Sequence, residues 1–240
     1  MKRLAGVLVL MASLAGQPAV AGEAVAIELV LGVDCSLSVN DREYALQMRG
    51  IANALRSPAV IAAIGSHDKG VAMALFLWAG VPQDELAVDW RLLRSEADIM
   101  AMAAAIEAVP SASLGYFTAI GQAMAQGLRF LADNGYDGLA ARIDISGDGR
   151  SNSGAEPAAV GTVAALSGVT VNGLAVLTDD LDLARYYRDN VMAGPHGFVE
   201  IARSYDDFER AMLKKLLREL EPALAGPAPA NGLRRTAGLP

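Results

Sequence analysis

Apolar runs and amphipathic stretches alternate along most of the chain. Ala24 to Val33 is a nearly unbroken apolar run ending at a polar cluster, the pattern of a strand buried on both faces. Asp41 to Arg56 then spaces Tyr44, Leu46, Met48, Ile51, Ala52 and Leu55 close to a helical period, and Pro58 falls where that helix should stop. Val71 to Trp78 reads as a second strand and Leu86 to Trp90 as a shorter one beside it. Glu96 to Ala108, rich in Ala and Met and closed before Pro110, reads as a helix.

The alternation continues to the end of the periodic region. A helix over Thr118 to Leu131 is ended by Asn134-Gly135, and a strand follows over Ala140 to Ile145. Pro157 to Leu166 is a helix stopped by Gly168, and Val169 to Leu177 is the next strand. Asp180 to Asn190 reads as a short polar helix and Gly197 to Ile201 as a last strand. Asp206 to Leu220 closes the pattern as a helix capped by Ser204 or Asp206. Strands and helices in this order predict a doubly wound α/β fold, a mainly parallel central sheet flanked by helices.

The two ends of the chain read differently. Lys2 and Arg3, the apolar run Leu4 to Leu14 and the small-x-small pattern Ala19-Val20-Ala21 together read as a signal peptide over residues 1–21. The apolar run is shorter than the roughly 20 residues a bilayer-spanning helix needs, and no stop-transfer pattern supports an uncleaved anchor. No cysteine directly follows it, which argues against a lipoprotein. Residues 221–240, dominated by Pro, Ala and Gly, have no periodicity and read as a disordered tail. A single domain over 22–220 is expected, in an exported, periplasmic or secreted protein.

Composition then narrows the partners. Cleavage would remove two of the 20 basic residues and leave a net charge of −9 against 27 acids. Without basic clusters, such a surface suits neither nucleic acid nor anionic lipid, and no stable membrane insertion is expected. Cys35 is the only cysteine, so stability must come from packing, which a 53% hydrophobic composition can supply.

In an open α/β sheet, ligands bind at the carboxyl ends of the strands, near the reversal of strand order. The first strand leads into Asp34-Cys35-Ser36-Leu37-Ser38, the run over 140–145 leads into Ser146-Gly147-Asp148-Gly149, and Thr118 opens the central helix. A carboxylate and hydroxyls at positions 34, 36 and 38, with Thr118 and Asp148, suit a small hard cation that prefers oxygen ligands. Softer metals want His or Cys, and the two histidines, His67 and His196, stand in separate glycine-bounded turns. Competing readings stay open here. Thr118 reads equally as a plain helix cap, and Gly147-Asp148-Gly149 as a turn selected for positive φ. Asp144, inside a central strand, needs an ion pair or hydrogen bonds, and Cys35 should turn away from the rim as a buried thiol.

The combined pattern resembles the metal-ion-dependent adhesion site of von Willebrand factor type A domains. The Val33-to-Ser38 and Ile145-to-Gly149 segments look more narrowly like a family of uncharacterised exported bacterial proteins carrying this domain. The resemblance implies that Asp34, Ser36 and Ser38 are metal ligands of the first loop, Thr118 of the second and Asp148 of the third. It implies Mg²⁺, with Mn²⁺ or Ca²⁺ as variants, and a protein or peptide partner whose Asp or Glu completes the shell. Asn40, Tyr116, Phe117, Arg150 and Asn152 are the expected partner-binding rim. No enzymatic activity is expected. An exported metal-dependent hydrolase would need a general acid where Ser36 stands, or a nucleophile elbow with a histidine partner. A small-molecule binding protein of the cleft type would need a second lobe.

Overall fold

The computed structural model describes residues 22–80, 85–111 and 115–222. The expected signal peptide and all but the first two residues of the expected tail lie outside the described residues. The chain runs through β1 (Glu23–Asp34), α1 (Asp41–Arg56), α2 (Pro58–Gly65), β2 (Val71–Trp78), β3 (Val88–Leu93) and α3 (Glu96–Glu107). It continues through α4 (Ile120–Ala132), β4 (Tyr136–Gly147), α5 (Pro157–Leu166), β5 (Val169–Val176), α6 (Leu183–Asn190) and β6 (Val199–Ala202). A single 3₁₀ turn (Tyr205–Asp207) leads into α7 (Phe208–Glu219).

The six strands form one sheet in the order β3-β2-β1-β4-β5-β6. All neighbours are parallel except the edge pair β2 and β3. Strand order reverses between β1 and β4, where Val33 pairs with Ser146, so the loops after these two strands open side by side. The expected doubly wound α/β architecture is therefore present.

Side-chain alternation along the buried strands feeds two cores. Ile27, Leu29, Leu31 and Val33 of β1 pack with Val71, Met73, Leu75 and Leu77 of β2 under α1, α2, α3 and α7. Val30, Phe76, Trp78, Ile143 and Ile145 pack on the other face with residues of α4, α5 and α6. Cys35 follows the odd-numbered set into the first core, and its Sγ–H donates to the Trp78 carbonyl at 3.3 Å. Asp34 follows the even-numbered set, toward Trp78 and α6.

Several element boundaries differ from expectation for local reasons. Pro58 does not only end a helix; it is the first residue of α2, which Ser57 caps. β3 lies at 88–93, a few residues later than expected, and β4 begins at Tyr136 because its half-exposed start pairs with Glu23 to Val25. α7 begins at Phe208 after the 3₁₀ turn, and neither Ser204 nor Asp206 caps it through a side chain.

Asp144 of β4 is buried and meets Lys215 of α7 at 2.9 Å, as a carboxylate in a central strand requires. Lys215, itself fully buried, also pairs with Glu219 at 2.7 Å, and Asn172 of β5 donates to the same Glu219 at 2.9 Å. Burial lifts the Asp144 carboxyl to about 7 against the pull of Lys215, and the acids hold the Lys215 ammonium above its ordinary value despite its burial. This ionic cluster fastens the closing helix to the middle of the sheet.

Candidate metal centre

The first-loop residues lie immediately beyond β1. Asp34 is its last residue, fully buried, with Oδ1 accepting the Ser36 backbone N–H at 2.8 Å. The chain then turns, with the Val39 N–H donating to the Ser36 carbonyl, and this brings the two serine hydroxyls to 3.0 Å from each other. Ser38 Oγ donates in turn to Asp148 Oδ1 at 2.8 Å, so the first and third loops are joined directly.

Helix capping leaves these serines uncommitted. Asn40 caps α1, accepting from the Arg42 and Glu43 backbones, while Glu43 reaches back to the Asn40 N–H in a reciprocal capping box. Ser38 therefore takes no part in capping. Gln47 of α1 steadies the loop from beneath by donating to the Asp34 carbonyl at 3.0 Å.

Thr118 is brought to the same focus. It is not the cap of α4, because Ala119 occupies that position and supplies no side-chain bond. Its backbone is held by Asn152, whose Oδ1 accepts the Thr118 N–H at 2.9 Å while its own N–H donates to the Thr118 carbonyl at 2.9 Å. A Cβ built on Gly149 would lie 3.7 Å from Thr118 Oγ1, which sets the threonine hydroxyl beside the Gly147-Asp148-Gly149 loop.

Gly147 and Gly149 are not at positive φ, so a turn selected for that conformation is not what they form. Gly147 is required by close approach: a Cβ there would lie 2.8 Å from both Asp34 Oδ2 and Tyr187 Oη.

The electrostatics of the cluster suit a cation. Asp34 Oδ2 is buried with no hydrogen-bond partner among the described residues. Burial first, and then the neighbouring Asp148 carboxylate, raise the Asp34 carboxyl to about 7, against the Ser36 N–H that favours its ionised form. A positive ion at this point would remove both penalties. Among the described residues no three His, Cys, Asp or Glu side chains gather to hold a metal. Two carboxylates and three hydroxyls form an oxygen-only donor set, and that set fits a hard divalent ion.

The expected rim residues separate into two roles. Tyr116 and Phe117 are solvent-exposed beside Thr118, whereas Asn40 caps α1, Asn152 pins Thr118, and Arg150 is paired with Asp180 at 2.6 Å. Sequence reasoning missed Leu37, which stands 59% exposed between the two serines. It also missed Tyr187 and Tyr205, buried tyrosines whose hydroxyls feel the Asp34 and Asp148 charges. Both come from the last quarter of the chain, and nothing in the local pattern ties them to β1.

The fold recurs in solved structures of low sequence identity. Proximal thread matrix protein 1 from the mussel byssus superposes with a TM-score of 0.61 at 17% identity over 84% of this chain. The chain spans 48% of the length of that protein, which has also been solved with a zinc-occupied MIDAS motif. The pilus adhesin SpaC of Lactobacillus rhamnosus GG gives a TM-score of 0.58 at 16% identity, covering 81% of this chain and 30% of the adhesin. The vWF domain of the type V pili tip protein Mfa5 from Porphyromonas gingivalis gives 0.57 at 10% identity, covering 84% of this chain and 98% of that one. These likenesses make the fold a von Willebrand factor A fold. Curated protein sequences contain no match. A family profile described as "Protein of unknown function (DUF1194)" matches residues 24–224, and the chain belongs to that family.

Proposed function

We propose that this protein is a non-enzymatic, metal-dependent adhesion module that binds a protein or peptide partner through an acidic side chain. Asp34, Ser36, Ser38, Thr118 and Asp148 would hold Mg²⁺, with Mn²⁺ or Ca²⁺ as alternatives, directly or through water. When bound, the ion supplies a Lewis-acidic position for a partner carboxylate. With only two protein carboxylates against a charge of +2, and weakly donating hydroxyls in the remaining places, an incoming anion is favoured over water. One observation carries the reading: the Ser36–Ser38–Asp148 hydrogen-bonded chain ends beside a buried carboxylate whose Oδ2 has no hydrogen-bond partner among the described residues.

Surroundings and relatives support it. Leu37, Tyr116 and Phe117, at 59%, 78% and 56% exposure, form an apolar border suited to a macromolecular partner. Proximal thread matrix protein 1 takes zinc at the corresponding kind of motif, and SpaC is an adhesin. Export fits the 1–21 segment of the sequence, and no helix among the described residues is long and apolar enough to cross a membrane. A hydrolase using histidine as base is disfavoured by topology. His67 precedes β2 and His196 precedes β6, which sets both at the amino edge of the sheet, opposite Asp34.

The test is thermal melting of the purified protein with and without millimolar Mg²⁺ or Mn²⁺. An ion at one hundred times its dissociation constant stabilises by about 2.7 kcal/mol. Asp34→Ala and Asp148→Ala should abolish that gain. Calorimetry showing no divalent-ion binding at millimolar concentration by the unaltered protein would overturn the proposal.

A further inference from the structure

Behind the five oxygen donors, on the side facing the core, lies a second group of polar atoms. A Cβ on Gly147 would sit 2.8 Å from Asp34 Oδ2, 2.8 Å from Tyr187 Oη and 3.1 Å from Trp78 Cζ2. Tyr187 belongs to α6 and is fully buried. Its hydroxyl makes no hydrogen bond of good geometry among the described residues. Burial first, and then the Asp34 charge, raise this phenol above its ordinary value.

A buried hydroxyl without a partner costs free energy that phenylalanine would not incur in the same volume. Here the Tyr187 hydroxyl and Asp34 Oδ2 both close on Gly147, and neither has a hydrogen-bond partner among the described residues. A phenol O–H gains most by donating to an ionised carboxylate, where the bond is charge-assisted. An ion held by one oxygen of Asp34 leaves the other oxygen to accept from a neighbouring donor. Groups in this outer position orient the ligands and tune affinity.

We propose that Tyr187 is a positioning residue for the metal carboxylate Asp34. The inference rests on the metal-binding reading above. Its hydroxyl donates to the Asp34 carboxylate in the ion-loaded protein and holds it in the orientation the ion requires. Tyr187 does not touch the ion.

The experiment is calorimetric titration of MnCl₂ into the unaltered protein, Tyr187→Phe and the control Tyr44→Phe. Thermal melting of each, with and without the ion, accompanies it. Tyr44 is a suitable control because its hydroxyl donates to the Pro110 carbonyl, away from the carboxylates. The expected result is a loss of Mn²⁺ affinity of about tenfold in Tyr187→Phe, from one charge-assisted hydrogen bond. Its ion-free melting temperature should be unchanged or higher, and Tyr44→Phe should keep its ion affinity. A merely structural role predicts the opposite: ion affinity within twofold of the unaltered protein, or an equal loss of melting temperature with and without ion. Either overturns the inference while leaving metal binding standing. No Mn²⁺ binding by the unaltered protein overturns both. A near-UV tyrosine difference spectrum on adding Mn²⁺ to the unaltered protein is a second readout that needs no variant. Its appearance supports the inference and its absence counts against it.

Discussion

Ser38 Oγ donates to Asp148 Oδ1 at 2.8 Å across a sequence separation of 110 residues. One hydroxyl thereby joins the loop after β1 to the loop after β4, at the point where strand order reverses. With an ion present, the same hydroxyl must both donate to Asp148 and offer a lone pair inward, as a serine can. Ser38→Ala should lower Mg²⁺ affinity about tenfold, equivalent to about 1.4 kcal/mol, as expected for a hydrogen bond to a charged group. Because Ser38 is exposed and does not cap α1, its ion-free stability should hardly change. Calorimetry with parallel denaturant unfolding separates the two effects.

The two glycines around Asp148 should respond unequally. Gly147→Ala pushes a methyl against Asp34 Oδ2 and Tyr187 Oη, and overpacking of this kind costs about 1–3 kcal/mol. It should also abolish ion-dependent stabilisation. At Gly149 the nearest atoms stand 3.7 Å away and φ is not positive, so Gly149→Ala should fold as the unaltered protein does. Urea midpoints of the pair, with and without Mg²⁺, check both expectations.

Stability should depend on pH through buried acids. Asp34 and Asp144 both have carboxyls raised to about 7, chiefly by burial. A carboxyl that protonates more readily in the fold than in the unfolded chain favours the fold at low pH. That contribution is lost as pH rises from the unfolded value near 4 toward 7. Lys215, raised above its ordinary value, stays protonated throughout this window and adds no slope. The ion-free protein should therefore melt at a lower temperature at pH 8 than at pH 6. Saturating Mg²⁺ should flatten the share due to Asp34 and leave that of Asp144. An ion-free melting temperature that rises between pH 6 and 8 would contradict the assignment.

Removing Lys215 should be severe. Lys215→Met leaves Asp144 and Glu219 buried without their cation, and breaking a buried ionic cluster from one side costs about 3–5 kcal/mol. Adding Asp144→Asn to that variant should recover part of the loss, which a double-mutant cycle in urea would measure.

Much of the candidate centre was legible because the residues proposed as ligands sit where chain geometry constrains them most, at the ends of β1 and β4. Alternation along β1 sends Cys35 and Asp34 to opposite faces, and Asp144 has the ion pair its burial demands. Thr118 was ambiguous, since a threonine before a helix satisfies both a cap and a ligand pattern; the position of Ala119 at the cap removes the first reading. The meaning of Gly147 was not legible. Its neighbours Tyr187 and Trp78 come from other elements, and close approach leaves no local mark as positive φ often does. α2 was hidden for a related reason: Pro58 stops one helix and starts the next, and a proline alone does not say which.

The ion pairs beneath α7 have a temporal consequence. β4 leaves the ribosome well before Lys215, so until α7 is synthesised Asp144 lacks the lysine it pairs with. A nascent chain stopped short of α7 would hold every proposed ion ligand yet lack the counter-charge that lets its central strand stay dry. Completion of this interior thus waits on α7, the last helix of the described domain.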